Sequence, residues 1–175
     1  IVGTSAFMSF AVVEAMRKLG DGETALEFIR DYFGAMIDLG ATTFWEDFDG
    51  EWLNENPMPL DAMPDPNRKN IHADFGNFCY KGLRHSLCHG WSCGFIDFLY
   101  SFVLGVTPTE AGYKRIKIEP HLCGFDFVTG VIPTSYGDIT VDFRSENGKI
   151  VGKIVKPKAV EAELADAVSA KIIDF

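Results

Sequence analysis

Apolar residues at Met8, Val12, Ala15, Met16 and Leu19 recur at i, i+4, i+7, i+8 and i+11, the stripe of an amphipathic helix, and Gly20 supplies its stop. Asp21 then stands as N-cap to a second helix, whose stripe of Ala25, Phe28, Ile29, Tyr32, Phe33, Met36 and Ile37 is wide and aromatic before Gly40 ends it. Together they predict a helical hairpin. From Ala41 to about Gly82 the helical period is lost. Pro57, Pro59, Pro64 and Pro66, with several Asn and Asp, predict a long irregular segment of the kind that carries function in a compact domain. A third helix is predicted from near Ser86, with Trp91, Phe95, Phe98, Leu99, Phe102 and Val103 making it apolar on most sides, and Gly105 at its end.

After Pro108 the period changes to two. Ile116 and Ile118 alternate with Arg115, Lys117 and Glu119, and Ile139, Val141 and Phe143 alternate with Thr140, Asp142 and Arg144. Asn147-Gly148 stands where a hairpin turn belongs, so this half predicts an antiparallel β module. Residues 160–175 are ambiguous by propensity, since Ala and Glu favour a helix, but Lys171-Ile172-Ile173-Asp174-Phe175 fits a closing strand and strands are the reading taken.

Charge narrows the partners. In 175 residues, 16 Lys and Arg stand against 25 Asp and Glu, a net charge of -9, which offers no basic face to nucleic acid or to a membrane surface. With 47% apolar and 23% charged residues the composition is that of a globular protein, not a disordered one. The longest uncharged stretch, residues 1–13, falls short of the roughly 18 apolar residues of a membrane span, and no Lys or Arg precedes it as in a signal peptide. The chain opens on Ile1 and enters a helical pattern almost at once, which predicts a fragment of a longer protein. Four cysteines, Cys79, Cys88, Cys93 and Cys123, are too few for a disulfide scaffold and read as buried or free thiols, so the compartment stays open.

Two clusters carry candidate chemistry. Residues 41–49 pack Trp45, Phe44 and Phe48 together with Glu46, Asp47 and Asp49 directly after a helix end. Aromatic rings stack on the apolar faces of sugars while carboxylates accept hydroxyl protons, and a carboxyl group beside an indole can be desolvated. The alternative is a corner whose aromatics are core and whose acids are solvated. The second cluster, His85-Ser86-Leu87-Cys88-His89-Gly90-Trp91-Ser92, places two His at i and i+4, as in zinc hydrolases. The residue after His85 is Ser86, however, so the Glu of H-E-x-x-H is missing, no third ligand is evident, and no metal is predicted. His89 and Trp91 at the mouth of a helix could hydrogen-bond and stack on a ligand, with Gly90 allowing close approach, or they could be part of a satisfied cap. No phosphate loop, nucleophile elbow, dinucleotide fingerprint or calcium loop is present in the sequence, and no cofactor is predicted.

Taken in order and spacing, these residues resemble a known family. Gly40-Ala41-Thr42-Thr43-Phe44-Trp45-Glu46, Ser86-Leu87-Cys88-His89-Gly90-Trp91-Ser92, and Val103-Leu104-Gly105-Val106 with Pro108, Gly112, Tyr113, Lys114 and Ile118-Glu119-Pro120 are similar to the C-terminal part of bacterial α-L-rhamnosidases. So are Gly130-Val131-Ile132-Pro133-Thr134 and Tyr136-Gly137. The resemblance implies a mainly α chain, in which residues 1–106 supply the last helices of a six-hairpin α/α toroid and residues 107–175 form a small antiparallel β-sandwich. It implies that Glu46 is the general base of an inverting glycosidase, that Trp45, His89 and Trp91 line the sugar pocket, and that the general acid lies on a missing N-terminal part of the same enzyme. The substrate implied is a rhamnose-containing oligosaccharide or glycoconjugate, with terminal α-L-rhamnose as the group removed. An inverting pair needs its carboxyl groups about 6.5–9.5 Å apart with a water between. Asp47 and Asp49, too close to Glu46 in sequence for that, are left to orient it, to bind hydroxyls or to be solvated. Trp52, His72 and Asp74 in the irregular segment have positional support alone. The alternatives are another six-hairpin toroid hydrolase and a non-catalytic carbohydrate-binding module.

Overall fold

The first helix, α1 (Ala6–Lys18), begins where the Ser5 hydroxyl accepts the Met8 N–H at 3.3 Å, and Arg17 and Lys18 close it with positive charge in the last turn. The computed structural model describes residues 4–55, 57–58, 65, 67–68, 70 and 85–175; His72, Asp74, Cys79, Pro59, Pro64 and Pro66 lie outside the described residues. Two compact units make up the chain, residues 1–95 and 96–175, and the division falls inside a short helix.

In the first unit, α1 buries Ala6, Ser9 and Val13 rather than the predicted stripe, and Leu19 is 84% exposed. Helix α1 packs against the helix that follows it, and its buried side chains are small, while Met8 and Leu19 are exposed. Helix α2 (Gly22–Ile29) starts as expected, with the Asp21 carboxylate accepting the Thr24 N–H at 3.2 Å. It runs on through a π-helical turn, Arg30–Gly34, into α3 (Ala35–Asp38). The extra residue in the π turn shifts the phase of the stripe, so Met36 is buried and Ile37 is not. The helix ends in paired bonds, Gly40 N–H to the Ile37 carbonyl and Ala41 N–H to the Met36 carbonyl, which turn the chain sharply into residues 41–49. The rings of Tyr32, Phe33, Phe48, Trp45 and Trp52 form the core here, with Phe33 stacked at 4.0 Å on Phe95.

The third helix does not start near Ser86. There the Ser86 hydroxyl takes the Cys88 N–H at 3.3 Å, a local bond that competes with a helical turn. Helical geometry begins with a 3₁₀ turn at Gly90–Cys93 and becomes α4 (Phe95–Phe98), which passes into a second π turn at Leu99–Val103.

The second unit contains seven strands in two sheets. One holds β1 (Val106–Pro108), β2 (Arg115–Ile118) and β6 (Glu161–Leu164) in the order β1-β2-β6. The other holds β3 (Phe127–Ile132), β4 (Ile139–Glu146), β5 (Lys149–Lys156) and β7 (Val168–Asp174) in the order β3-β4-β5-β7. The alternation in β2 and β4 behaves as predicted, with Ile116, Ile118, Ile139, Val141 and Phe143 buried. Asn147 and Gly148, with φ of 52° and 77°, form the tight turn that pairs Glu146 with Lys149. Residues 160–175 are strands, as read.

Two expectations are corrected. The chain is not mainly α and does not present a set of toroid helices: 34% of the described residues are helical and 27% are in strands, the helices are short, and the second unit is a small β-sandwich-like domain. The helical period of residues 86–89 is overridden by side-chain bonding and pairing to residues 44–46, and the chain after Gly105 is organised mainly by its two sheets. Nor is the β module purely antiparallel. β6 runs parallel to β2 and β7 parallel to β5, because each returns by way of the other sheet and not through a hairpin.

Candidate active site

The described residues singled out for sugar chemistry sit in the first unit, where residues 44–46 run alongside residues 86–89. The Glu46 N–H donates to the Ser86 carbonyl at 2.9 Å, the His89 N–H donates to the Phe44 carbonyl at 2.9 Å, and the Thr43 hydroxyl donates to the Leu87 carbonyl. Behind them the buried Ser92 hydroxyl donates to the Trp45 carbonyl at 2.6 Å. Two segments with no regular structure of their own are thus locked by the backbone groups a loop would otherwise leave to water.

On this frame the Glu46 carboxylate is fixed. Its Oε2 accepts the Ser86 N–H at 2.8 Å and lies 3.7 Å from His89 Nδ1. The His89 ring is 4.1 Å from the Trp91 indole, and Trp91, 49% exposed, lies 5.4 Å from Phe7 of α1. Glu46, His89 and Trp91 therefore form one cluster with an open aromatic face. Trp45 is elsewhere: its ring is 1% exposed and packs 6.3 Å from the His85 ring, which is itself stacked on Trp52 at 5.9 Å and 12°. His85 and His89 do not share a helix face. His85 is buried among indoles, while His89 turns to the carboxylate.

The neighbouring acids have separate employments. Asp49 accepts the Glu51 N–H at 3.0 Å and caps the 3₁₀ turn Gly50–Asn54. Asp47 and Asp49 also bear on Tyr32, whose phenol is pushed well above its ordinary range, first by burial and then by these two carboxylates. The Tyr32 hydroxyl donates to the Thr4 carbonyl at 2.8 Å, with the Phe48 carbonyl at 3.2 Å, and so ties the start of α1 to the loop that carries Glu46. Among the described residues no group of three His, Cys, Asp or Glu is placed to hold a metal ion.

Sequence reasoning did not single out Ser92, the backbone of Ser86, or Phe7. Ser92 left no distinctive signal, because the run from Trp91 to Gly105 also holds Asp97, Tyr100 and Ser101. A carboxylate oriented by a fixed N–H beside an imidazole and an open indole can take a proton from a water or a hydroxyl while a ring-shaped ligand stacks alongside.

Comparison with known proteins gives this geometry a context. Residues 105–171 match the family described as bacterial alpha-L-rhamnosidase C-terminal domain. An alpha-L-rhamnosidase of Formosa agariphila is 33% identical over 87 residues, which are 48% of this chain and 9% of that protein. The crystal structure of a GH78 family rhamnosidase of Bacillus sp. GL1 is similar over 97% of this chain at 28% identity and a TM-score of 0.69, and the matched part is 16% of that structure's chain. Streptomyces avermitilis alpha-L-rhamnosidase, complexed with L-rhamnose, shares the fold over 89% of this chain at 19% identity and a TM-score of 0.62, with 14% of its own chain covered. This chain thus spans a small part of the length of each relative it matches. Residues 105–171 are thus similar to the bacterial α-L-rhamnosidase C-terminal domain, and the chain as a whole resembles a short stretch of α-L-rhamnosidases.

Proposed function

We propose that this chain is part of a glycosidase that removes terminal α-L-rhamnosyl residues with inversion, and that Glu46 is its general base. The observation that carries the reading is the placement of the Glu46 carboxylate, held by the Ser86 N–H, 3.7 Å from His89 and next to the ring pair His89–Trp91. Glu46 takes a proton from a water, the water oxygen bonds to the anomeric carbon from the face opposite the leaving group, and the glycosidic C–O bond breaks as its oxygen takes a proton from a second carboxyl group. That second group comes from a part of the complete enzyme outside these 175 residues. His89 and Trp91 bind the sugar, Trp91 through its open face, while Trp45 is buried against His85 and does not touch the ligand. On this reading residues 1–106 end the catalytic portion and residues 107–175 are the C-terminal domain. The similarity to the rhamnosidases of Formosa agariphila and Bacillus sp. GL1 supports the choice of sugar.

The test is chemical rescue in the complete enzyme. Glu46→Gly removes the base and leaves room for a small anion, so azide should restore turnover of an activated aryl rhamnoside and yield the rhamnosyl azide of inverted configuration. A Glu46→Gly enzyme that keeps near-normal kcat without azide, or an azide product of retained configuration, would overturn the proposal.

A further inference from the structure

We infer that Ser92 is a positioning residue for Glu46, acting through the peptide that joins Trp45 to Glu46; this rests on Glu46 being the base. Both polar ends of that peptide are held by one loop. Its carbonyl accepts the Ser92 hydroxyl at 2.6 Å, and its N–H, which belongs to Glu46, donates to the Ser86 carbonyl at 2.9 Å. The same loop then reaches the side chain, where the Ser86 N–H donates to Glu46 Oε2 at 2.8 Å. Three bonds from residues 86–92 thus fix one glutamate: two set where its Cα stands and one sets where its carboxylate points. Ser92 is the single side chain among the three donors and acceptors on the loop, and it is fully buried, so water does not replace its bond. Its own N–H donates to the His89 carbonyl at 3.2 Å, which couples the hydroxyl to the residue whose imidazole faces Glu46.

The chemical consequence follows from the tolerance of proton transfer to distance. A base must stand within hydrogen-bond reach of the water it activates, and displacement by about 1 Å can cost on the order of 100-fold in rate. Without the Ser92 hydroxyl the Trp45–Glu46 peptide loses one of the two loop bonds that fix it, and the Glu46 Cα gains room to shift. Substrate contacts made by His89 and Trp91 are retained, so the loss falls on kcat.

The experiment is a double-mutant cycle in the complete enzyme, assayed with an aryl rhamnoside well below the melting temperature of each variant. Ser92→Ala should lower kcat roughly 10- to 100-fold with KM within about threefold, and Ser92→Cys, which keeps a weak donor, should recover part of the loss. In a Glu46→Ala background, which has no carboxylate left to position, adding Ser92→Ala should change kcat by less than about threefold. Equal loss from Ser92→Ala in both backgrounds, or unchanged kcat with a lowered melting temperature alone, would overturn the positioning role while leaving Glu46 as the base. Unchanged kcat in Glu46→Ala itself would overturn the reading of Glu46 on which the inference rests.

Discussion

Gly105 and Gly148 both adopt a left-handed backbone, with φ of +67° and +77°, yet substitution by Ala should affect them very differently. A Cβ on Gly105 would stand 2.2 Å from the carbonyl carbon and oxygen of Glu119 and from the Pro120 nitrogen. The approach is that close because the Gly105 carbonyl accepts the Glu119 N–H at 2.8 Å, clamping the start of β1 to the end of β2. Neither backbone can yield without losing this bond and the Val106–Ile118 pairing beside it. A Cβ on Gly148 meets nothing within 4 Å. The left-handed conformation costs an Ala about 1–2 kcal/mol at either position, and the collision at Gly105 adds about 1–3 kcal/mol of overpacking. At about 1.4 kcal/mol per decade, the difference amounts to roughly 5- to 150-fold in the opening constant of the β unit. Hydrogen exchange of the β4 amides, under conditions where exchange follows the opening equilibrium, measures it directly in the 175-residue chain. Gly105→Ala should lose at least about fivefold more protection than Gly148→Ala. Equal losses in the two variants would refute the argument that backbone approach, and not φ, is what requires glycine at 105.

Other consequences are simpler to check. Asp174→Ala removes the carboxylate that lies 2.8 Å from the buried Lys156 ammonium, which also donates to the Val160 carbonyl at 2.5 Å, and should lower stability to urea by about 1–2 kcal/mol. Tyr32 is neutral in the folded first unit to a higher pH than in the unfolded chain. The unfolded state therefore releases a proton first, and stability falls as pH rises above about 10. Tyr32→Phe should flatten that decline, while costing about 1 kcal/mol at neutral pH for the bond to the Thr4 carbonyl; a decline of the same slope in the variant would exclude Tyr32 as its source. The isolated 175-residue chain should turn over no aryl rhamnoside, and turnover abolished by mutating its own acids would contradict the proposal that the second carboxyl group lies elsewhere.

What could be read from the sequence was whatever a short stretch of chain decides for itself. The alternation of β4 and the Asn147-Gly148 turn are local, and both stand as read. Asp21 capping α2 is local too. The apolar spacing of α1 points to a face with Met8 and Leu19, whereas the face actually buried is that of Ala6, Ser9 and Val13, which includes a polar residue and so carries little hydrophobic signal. Residues 86–89 were read into the third helix, but the Ser86 hydroxyl and the bonds to residues 44–46 take the backbone groups a helix would need there. The parallel partners of β2 and β5 were illegible because each pair is joined through the other sheet, and such a connection leaves no trace in residue spacing. In the candidate site, Glu46 was visible through its aromatic company. The frame that holds it was not, since it consists of backbone bonds from Ser86 and one buried hydroxyl on Ser92.

The central claim is that Glu46 removes the proton from the attacking water, and the kinetics of Glu46→Gln in the complete enzyme test it most directly. Glutamine keeps the shape and can still accept the Ser86 N–H through its amide oxygen, but it takes no proton from water. Thus kcat should fall by roughly two to four orders of magnitude while KM stays within a few-fold. A variant in which KM rises and kcat is nearly unchanged would make Glu46 a ligand for sugar hydroxyls and would contradict the claim.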